Sequence, residues 1–307
     1  MRIPHRLGVF LKGVGMGAAD VVPGVSGGTI AFITGIYDEL LDSIRSINPN
    51  ALKILFKDGV GACWQHINGT FLVTLLAGIF TSVLTLSHAI TYLLAAYPLM
   101  LWSFFFGLVI ASAVHIAREL NLKAISNWVL IIAGAVLAFW ITSHKPVHVE
   151  PDLLTIFVGG AIAICAMILP GISGSFILLM LGLYSHILQA IKGLDLMVIA
   201  VFGAGCATGL LSFVHLLSWM LKHYRSQSIA VLTGFLIGSL NALWPWKHVL
   251  ETYVSSKGAV KPLVQQNVLP GQFAAVSGQD PQLIMCLLLA AGGVVLVLAL
   301  EWLTDSE

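Results

Sequence analysis

The sequence predicts an all-α polytopic membrane protein of two inverted repeats, each a re-entrant Pro-Gly helical hairpin followed by three transmembrane helices. Three observations carry that prediction. Of the 307 residues, 58% are hydrophobic and only 9% are charged, against roughly 45–50% and about 25% in a soluble domain. A chain this apolar has the bilayer as its main solvent, because a soluble fold must still present a wetted surface. Six stretches are apolar enough to cross about 30 Å of hydrocarbon at 1.5 Å per residue. They fall into two trios, and each trio is preceded by a pair of short apolar pieces broken at Pro-Gly.

In chain order, residues 8–22 and 26–40 form the first pair around Pro23-Gly24, and the first trio lies at about 70–94, 98–117 and 126–143. Residues 153–169 and 172–190 form the second pair around Pro170-Gly171, and the second trio lies at about 196–221, 228–244 and 282–303. Proline ends a helix and pushes the residue before it out of helical geometry, so each pair reads as a hairpin rather than one span. The first repeat is assigned to residues 1–150, with its hairpin at 8–40, and the second to 151–307, with its hairpin at 153–190.

The halves can be laid on one another. An offset of 147 residues places Pro23-Gly24-Val25-Ser26-Gly27 on Pro170-Gly171-Ile172-Ser173-Gly174, and Gly35 and Tyr37 on Gly182 and Tyr184. An offset of 127 places Thr81, His88, Tyr97, Gly107 and Ser112 on Thr208, His215, Tyr224, Gly234 and Ser239. The difference sits in the polar loop around 45–69. Each half crosses an odd number of times, so the second enters from the opposite side and the repeats are inverted, as in many secondary transporters whose paired Gly/Pro interruptions mark the binding site. Loop charge sets the orientation. Arg2, Arg6, Lys12, Arg45, Lys53, Lys57, Arg118, Lys123, Lys222 and Arg225 lie on the side of the N-terminus, and Lys145, Lys192, Lys247, Lys257 and Lys261 lie opposite. The positive-inside rule then places both termini in the cytoplasm and the 245–281 loop outside, with Trp244 and Trp246 as interfacial anchors.

The candidate site is the pair of broken motifs. At Pro23, Gly24, Val25, Ser26, Gly27, Gly28 and Thr29 one short helix stops and another starts, and the same holds at Pro170, Gly171, Ile172, Ser173, Gly174 and Ser175. A helix start offers unpaired N–H donors and about half a positive charge, a place for an anion without a basic side chain. The plainer reading, serine N-caps and close-packing glycines, is weakened by the second copy. Asp20 is the lone carboxylate of the first apolar piece and is matched by Met167. An intramembrane carboxylate is a proton or cation carrier by default, and its structural alternative is a pair with Lys12. Glu39, beside Asp38, and the matched His88 and His215 complete the coupling candidates, with protons or sodium ions as the coupling ions. Arg118 is an anchor that also lies within the set of phosphate-binding candidates, and an ion pair with Glu119 is open to it.

Other classes are poorly served. Net charge is +1, so no basic field points to nucleic acid. Cys63, Cys165, Cys206 and Cys286 are singletons without metal or disulfide spacing, and His144 and His148 lack further ligands, so no metal and no cofactor is expected. No nucleophile elbow, HExxH or Walker lysine occurs, which argues against an enzyme. The N-terminus reads as mature sequence.

The run Gly17-Ala-Ala-Asp20-Val-Val-Pro-Gly-Val-Ser-Gly-Gly-Thr29, followed by Gly35-Ile36-Tyr37-Asp38, and the run Pro170-Gly-Ile-Ser-Gly-Ser175 with Gly182-Leu183-Tyr184, resemble the bacterial polyprenyl-phosphate transporter family PopT, over essentially the whole chain. The resemblance implies translocation of undecaprenyl phosphate across the bacterial cytoplasmic membrane, so that the lipid carrier is reused in cell-envelope synthesis. The residues themselves also admit a small-anion carrier or channel, or a membrane enzyme acting on lipid phosphates, and leave homo-oligomerisation open.

Overall fold

The computed structural model describes residues 5–22, 24–144, 150–254 and 260–305. Pro23 lies outside the described residues, as do Arg2, Lys145, His148 and Lys257. The molecule is a multi-pass membrane protein, with six helices among the described residues long and apolar enough to cross a bilayer.

Helix α1 (His5–Val21) is followed by two short helices, α2 (Gly27–Ile33) and α3 (Tyr37–Arg45). The polar stretch expected as a loop folds as α4 (Pro49–Asp58) and α5 (Val60–His66), the first of them started by Asn48, whose side chain accepts from the N–H groups of Asn50 and Ala51. The first trio is α6 (Gly69–Ala96), α7 (Pro98–Ala117) and α8 (Ile125–Ser143). In the second half, α9 (Leu153–Ile168) precedes α10 (Gly174–Met180) and α11 (Tyr184–Gly193), which are bent by 108° from one another. The second trio is α12 (Leu196–His223), α13 (Arg225–Leu243) and α15 (Leu283–Asp305). The second piece of each pair therefore breaks once more, at Gly35 and Gly182. Their φ angles of 70° and 71° belong to the left-handed region that glycine adopts without a Cβ penalty.

Helices pair where glycines let backbones approach. A Cβ on Gly13 of α1 would lie 2.3 Å from the Leu75 carbonyl of α6, and one on Gly17 would lie 2.6 Å from that of Ile79. Both numbers rise together along the two helices, so α1 and α6 run parallel. The same contact joins α9 to α12, where Gly205 meets Phe157 and Gly209 meets Ala161. It recurs between α8 and α13 through Gly134, Gly234 and Gly238, and α7 lies beside α15.

The membrane-spanning part is helical as expected, and the loop over residues 245–281 adds a small two-stranded sheet. Strands β1 (Lys247–Val254) and β2 (Val260–Asn267) pair antiparallel, Lys247 opposite Asn267, and α14 (Pro270–Ser277) follows. Outside the hydrocarbon the backbone is free to be non-helical, and the β-branched and aromatic residues of this stretch favour strands. Trp246 anchors the loop, buried with Leu99, Phe273 and Cys286 and donating from Nε1 to the Pro281 carbonyl at 2.9 Å. Lys247 donates to the Ala242 carbonyl at the end of α13, and its ammonium stands 4.7 Å from the centroid of the Trp102 ring. Burial pushes that ammonium down to about 8, because the charged form loses its water.

Candidate functional site

The two turns meet in the core. After α1, Gly24 takes a φ of 87°, and Ser26 is extended and caps α2, its Oγ accepting from the Gly28 N–H at 3.0 Å. The next donor in line, the Gly27 N–H, gives its hydrogen bond to Asp20 Oδ1 at 2.7 Å. The Thr29 N–H is bonded to the Ser26 carbonyl. Thus the start of α2 is already filled, and by a carboxyl group of the chain itself. That placement separates Asp20 from the Lys12 pairing considered from sequence. The aspartate is the acceptor for a helix start, where negative charge is favoured by the exposed N–H dipoles.

The second turn has the same backbone and different chemistry. Gly171 also takes a φ of 87°, and Ser173 is extended at φ −99° and ψ 131°. However, Ser173 makes no side-chain cap, and its Oγ lies instead 2.9 Å from Ser175 Oγ. At the place of Asp20 stands Met167, which has no carboxylate to offer the Gly174 N–H. Ser175 is half-buried, whereas Ser26 and Thr29 are sealed from solvent.

Three hydrogen bonds lock the turns together. Ser26 Oγ donates to the Met167 carbonyl at 2.8 Å, the Gly171 N–H donates to Thr29 Oγ1 at 3.0 Å, and the Tyr37 hydroxyl donates to the Ile168 carbonyl at 3.1 Å. These bonds satisfy backbone groups that a broken helix leaves open in the buried interior, where no water replaces them. Contact is close as well, since a Cβ on Gly28 would lie 2.4 Å from the Ile168 carbonyl. Behind the turns stands α13, with Leu243 and Ala242 over Gly24, and Ser239 and Leu236 over Gly171.

Of the candidates from sequence, the structure gathers Gly24, Val25, Ser26, Gly27, Gly28 and Thr29 with Gly171, Ile172 and Ser173 in one buried neighbourhood, with Asp20 at its edge. It does not bring Arg118 there. Arg118 sits at the end of α7 and donates to Glu301 at 2.7 Å, not to Glu119. Glu119 lies 3.4 Å from Arg225, which also holds Asp38 at 2.9 Å. These three, with Phe32, Gly35 and Tyr37, line a cavity of about 130 Å³. Glu39 accepts from the Asn68 side chain at 2.9 Å. His88 and His215 are exposed on α6 and α12, away from the turns, the latter with Nδ1 2.7 Å from the Leu211 carbonyl. Among the described residues no three His, Cys, Asp or Glu side chains gather as a metal site. Sequence reasoning missed the carbonyls of Met167 and Ile168, which carry no signature in a sequence. It also missed Glu301, whose only signal is that it is the first acid of an apolar helix, one turn before its end.

Comparison with known proteins places this arrangement in a family. The family described as undecaprenyl phosphate translocase-like matches residues 16–261. A polyprenyl-phosphate transporter of Vibrio cholerae is 51% identical over 96% of this chain and 96% of its own. A polyprenyl-phosphate transporter of Staphylococcus aureus is 31% identical over 77% of this chain and 85% of its own. No solved structure matches.

Proposed function

The chain belongs to the undecaprenyl phosphate translocase-like family, and from that premise we propose that it carries undecaprenyl phosphate across the bacterial cytoplasmic membrane, by alternating access with the phosphate bound between the two broken hairpins. The observation that carries this reading is the interlock of Ser26, Thr29 and Tyr37 with Met167, Ile168 and Gly171. Two interruptions from distant parts of the chain meet inside the molecule, which is where irregular backbone is tolerated and where carriers place their sites.

The parallel pairs α1 with α6 and α9 with α12 support the inverted repeat. Counting spans along the chain, α6 leaves the side of the N-terminus and α12 returns to it, so the two hairpins enter from opposite faces. Both termini are then cytoplasmic under the positive-inside rule. Within the site, the start of α2 already serves Asp20, so the phosphate takes its donors from the second turn, Gly174, Ser175 and the Ser173 hydroxyl. Asp20 is the group that exchanges a proton or sodium ion, since a carboxylate at this depth is costly unless compensated. An apolar cavity of about 320 Å³, lined by Leu93, Tyr97, Met100, Leu101, Phe104 and Leu289, favours a substrate with a hydrocarbon tail over a small soluble anion.

Native mass spectrometry of the purified protein tests the proposal, with undecaprenyl phosphate offered against phosphatidylglycerol and inorganic phosphate. Selective retention of the polyprenyl lipid is expected, falling at least tenfold in the Ser173→Ala, Ser175→Ala double variant. Retention of inorganic phosphate alone identifies a small-anion carrier instead, and release of phosphate from the bound lipid identifies an enzyme.

A further inference from the structure

The two halves pair element by element along the chain, yet they are not equally closed. On the side of the N-terminus, α3 of the first half packs against the last turns of α12 of the second. Lys222 Nζ lies 2.9 Å from Asp42 Oδ1, the Ser218 hydroxyl donates to the same carboxylate at 3.1 Å, and Arg45 donates to Ser218 Oγ at 3.3 Å. One turn away Arg225 holds Asp38. Beneath this seam α12 buries Val214, Leu217, Ser218 and Leu221.

The offsets of 147 and 127 residues identify the matching seam on the opposite side as α11 against α6. The positions that correspond to the four buried residues of α12 are Ser87, Ile90, Thr91 and Leu94. None of them is buried, and Thr91 is exposed. Among the described residues α11 makes no packing with α6 comparable to that of α3 with α12. The apolar cavity bordered by Leu93 and Tyr97 lies along this uncovered end of α6. The ion pairs of the closed seam are not repeated in the sequence of this one. The counterparts of Asp38, Asp42, Lys222 and Arg225 are Ser185, Gln189, Ala95 and Pro98.

A molecule whose halves share one fold has two related ways to close, and a single state shows only one of them. We propose that this structure is the state closed at the α3–α12 seam and open at the α6–α11 seam, and that in the opposite state α11 docks onto Ser87, Ile90, Thr91 and Leu94 of α6 while α3 leaves α12. The proposal rests on the carrier reading above and adds its two gates. The closed gate is held by ion pairs whose side chains are each about half exposed. Such pairs are weak and reversible, as a gate that must reopen requires. The open gate presents an apolar face to lipid and admits a hydrocarbon tail from the side.

Cysteine cross-linking in proteoliposomes tests this, in a chain whose Cys63, Cys165, Cys206 and Cys286 are replaced by alanine. The closed seam is probed by Asp42→Cys with Lys222→Cys and the open seam by its counterpart, Gln189→Cys with Ala95→Cys. A second set, Asp42→Cys with Ser218→Cys and Gln189→Cys with Thr91→Cys, replaces any pair whose lipid flipping is not restored by reduction. The first seam is expected to link readily and the second poorly, with the second rising at least threefold when Arg225→Ala loosens α3. Linking of both seams in the same molecule, or an α6–α11 yield indifferent to Arg225→Ala, overturns the proposal. Seams that exclude one another in a protein that flips no polyprenyl phosphate overturn the carrier reading and leave the gates standing. Flipping that continues with both seams linked does the reverse.

Discussion

The two turns are the same piece of backbone with two chemistries. Gly24 and Gly171 share a φ of 87°, and Ser26 and Ser173 share an extended conformation. Around the first turn the polar side chains are engaged: Asp20 serves Gly27, Ser26 serves Gly28 and Met167, and Thr29 serves Gly171. Around the second, Ser173 reaches only Ser175, and the position of Asp20 is a methionine. Glycine and proline fix the path of the chain, whereas the side chains decide whether the turn clasps its neighbour or leaves donors open. On the function proposed above, the first turn is the structural half of the site and the second the half that would meet the phosphate. Substitutions at matched positions separate the two roles.

The largest contrast is expected at the turn glycines. A side chain in the left-handed region costs roughly 1–2 kcal/mol at either position. At Gly24 the added Cβ finds room, its nearest neighbour being Leu243 at 3.6 Å. At Gly171 it would stand 2.8 Å from Ser239 Oγ and 3.2 Å from Leu236 Cα, inside a packed helix face, which adds about 1–3 kcal/mol of overpacking. Gly171→Ala should therefore lower the midpoint of thermal unfolding in detergent clearly more than Gly24→Ala. Equal shifts would mean that α13 yields to the new methyl group.

The serines come next. Ser26→Ala removes an N-cap, worth about 0.5–2 kcal/mol, and leaves the Met167 carbonyl without its partner, worth about 1 kcal/mol more. Ser173→Ala removes neither and loses only its bond to Ser175, about 0.5–1.5 kcal/mol, while reducing lipid binding if the phosphate sits at the second turn. Thermal unfolding and lipid retention measured on both variants give the cross: Ser26 dominant in the first, Ser173 in the second. A Ser173→Ala protein that binds the lipid fully would move the phosphate away from this turn.

Much of this was legible in advance. The six spans fall within a few residues of their expected limits because length and hydropathy are local properties of the chain, and Pro98–Ala117 coincides with its prediction. The motifs were legible for the same reason, since proline and glycine act on their own backbone. What escaped depends on the fold. The further breaks at Gly35 and Gly182 sit inside apolar runs that hydropathy reads as continuous. The strands 247–254 and 260–267 lie in a loop long enough for several structures, and composition alone does not choose among them. The exchange of partners that gives Arg118 to Glu301 and Glu119 to Arg225 joins residues more than 100 positions apart, which no spacing rule reaches.

The tyrosines that close each motif give the smallest and cleanest contrast. Tyr37 is buried, tilts against Phe32 at a centroid distance of 4.9 Å and donates across the halves to the Ile168 carbonyl. Tyr184 is half-buried in α11, beside the seam that stands open. Tyr37→Phe keeps the ring packing and deletes one buried hydrogen bond, so a loss of about 0.5–1.5 kcal/mol is expected. Tyr184→Phe should leave stability unchanged in the present state. It acquires an effect only where α11 has docked on α6 and the hydroxyl is buried as that of Tyr37 is now. Unfolding both variants with and without an α6–α11 cross-link reads this directly: a penalty for Tyr184→Phe that appears only in the linked protein means that the two tyrosines exchange roles as the gates alternate, and no penalty in either form confines the buried hydroxyl to the first half.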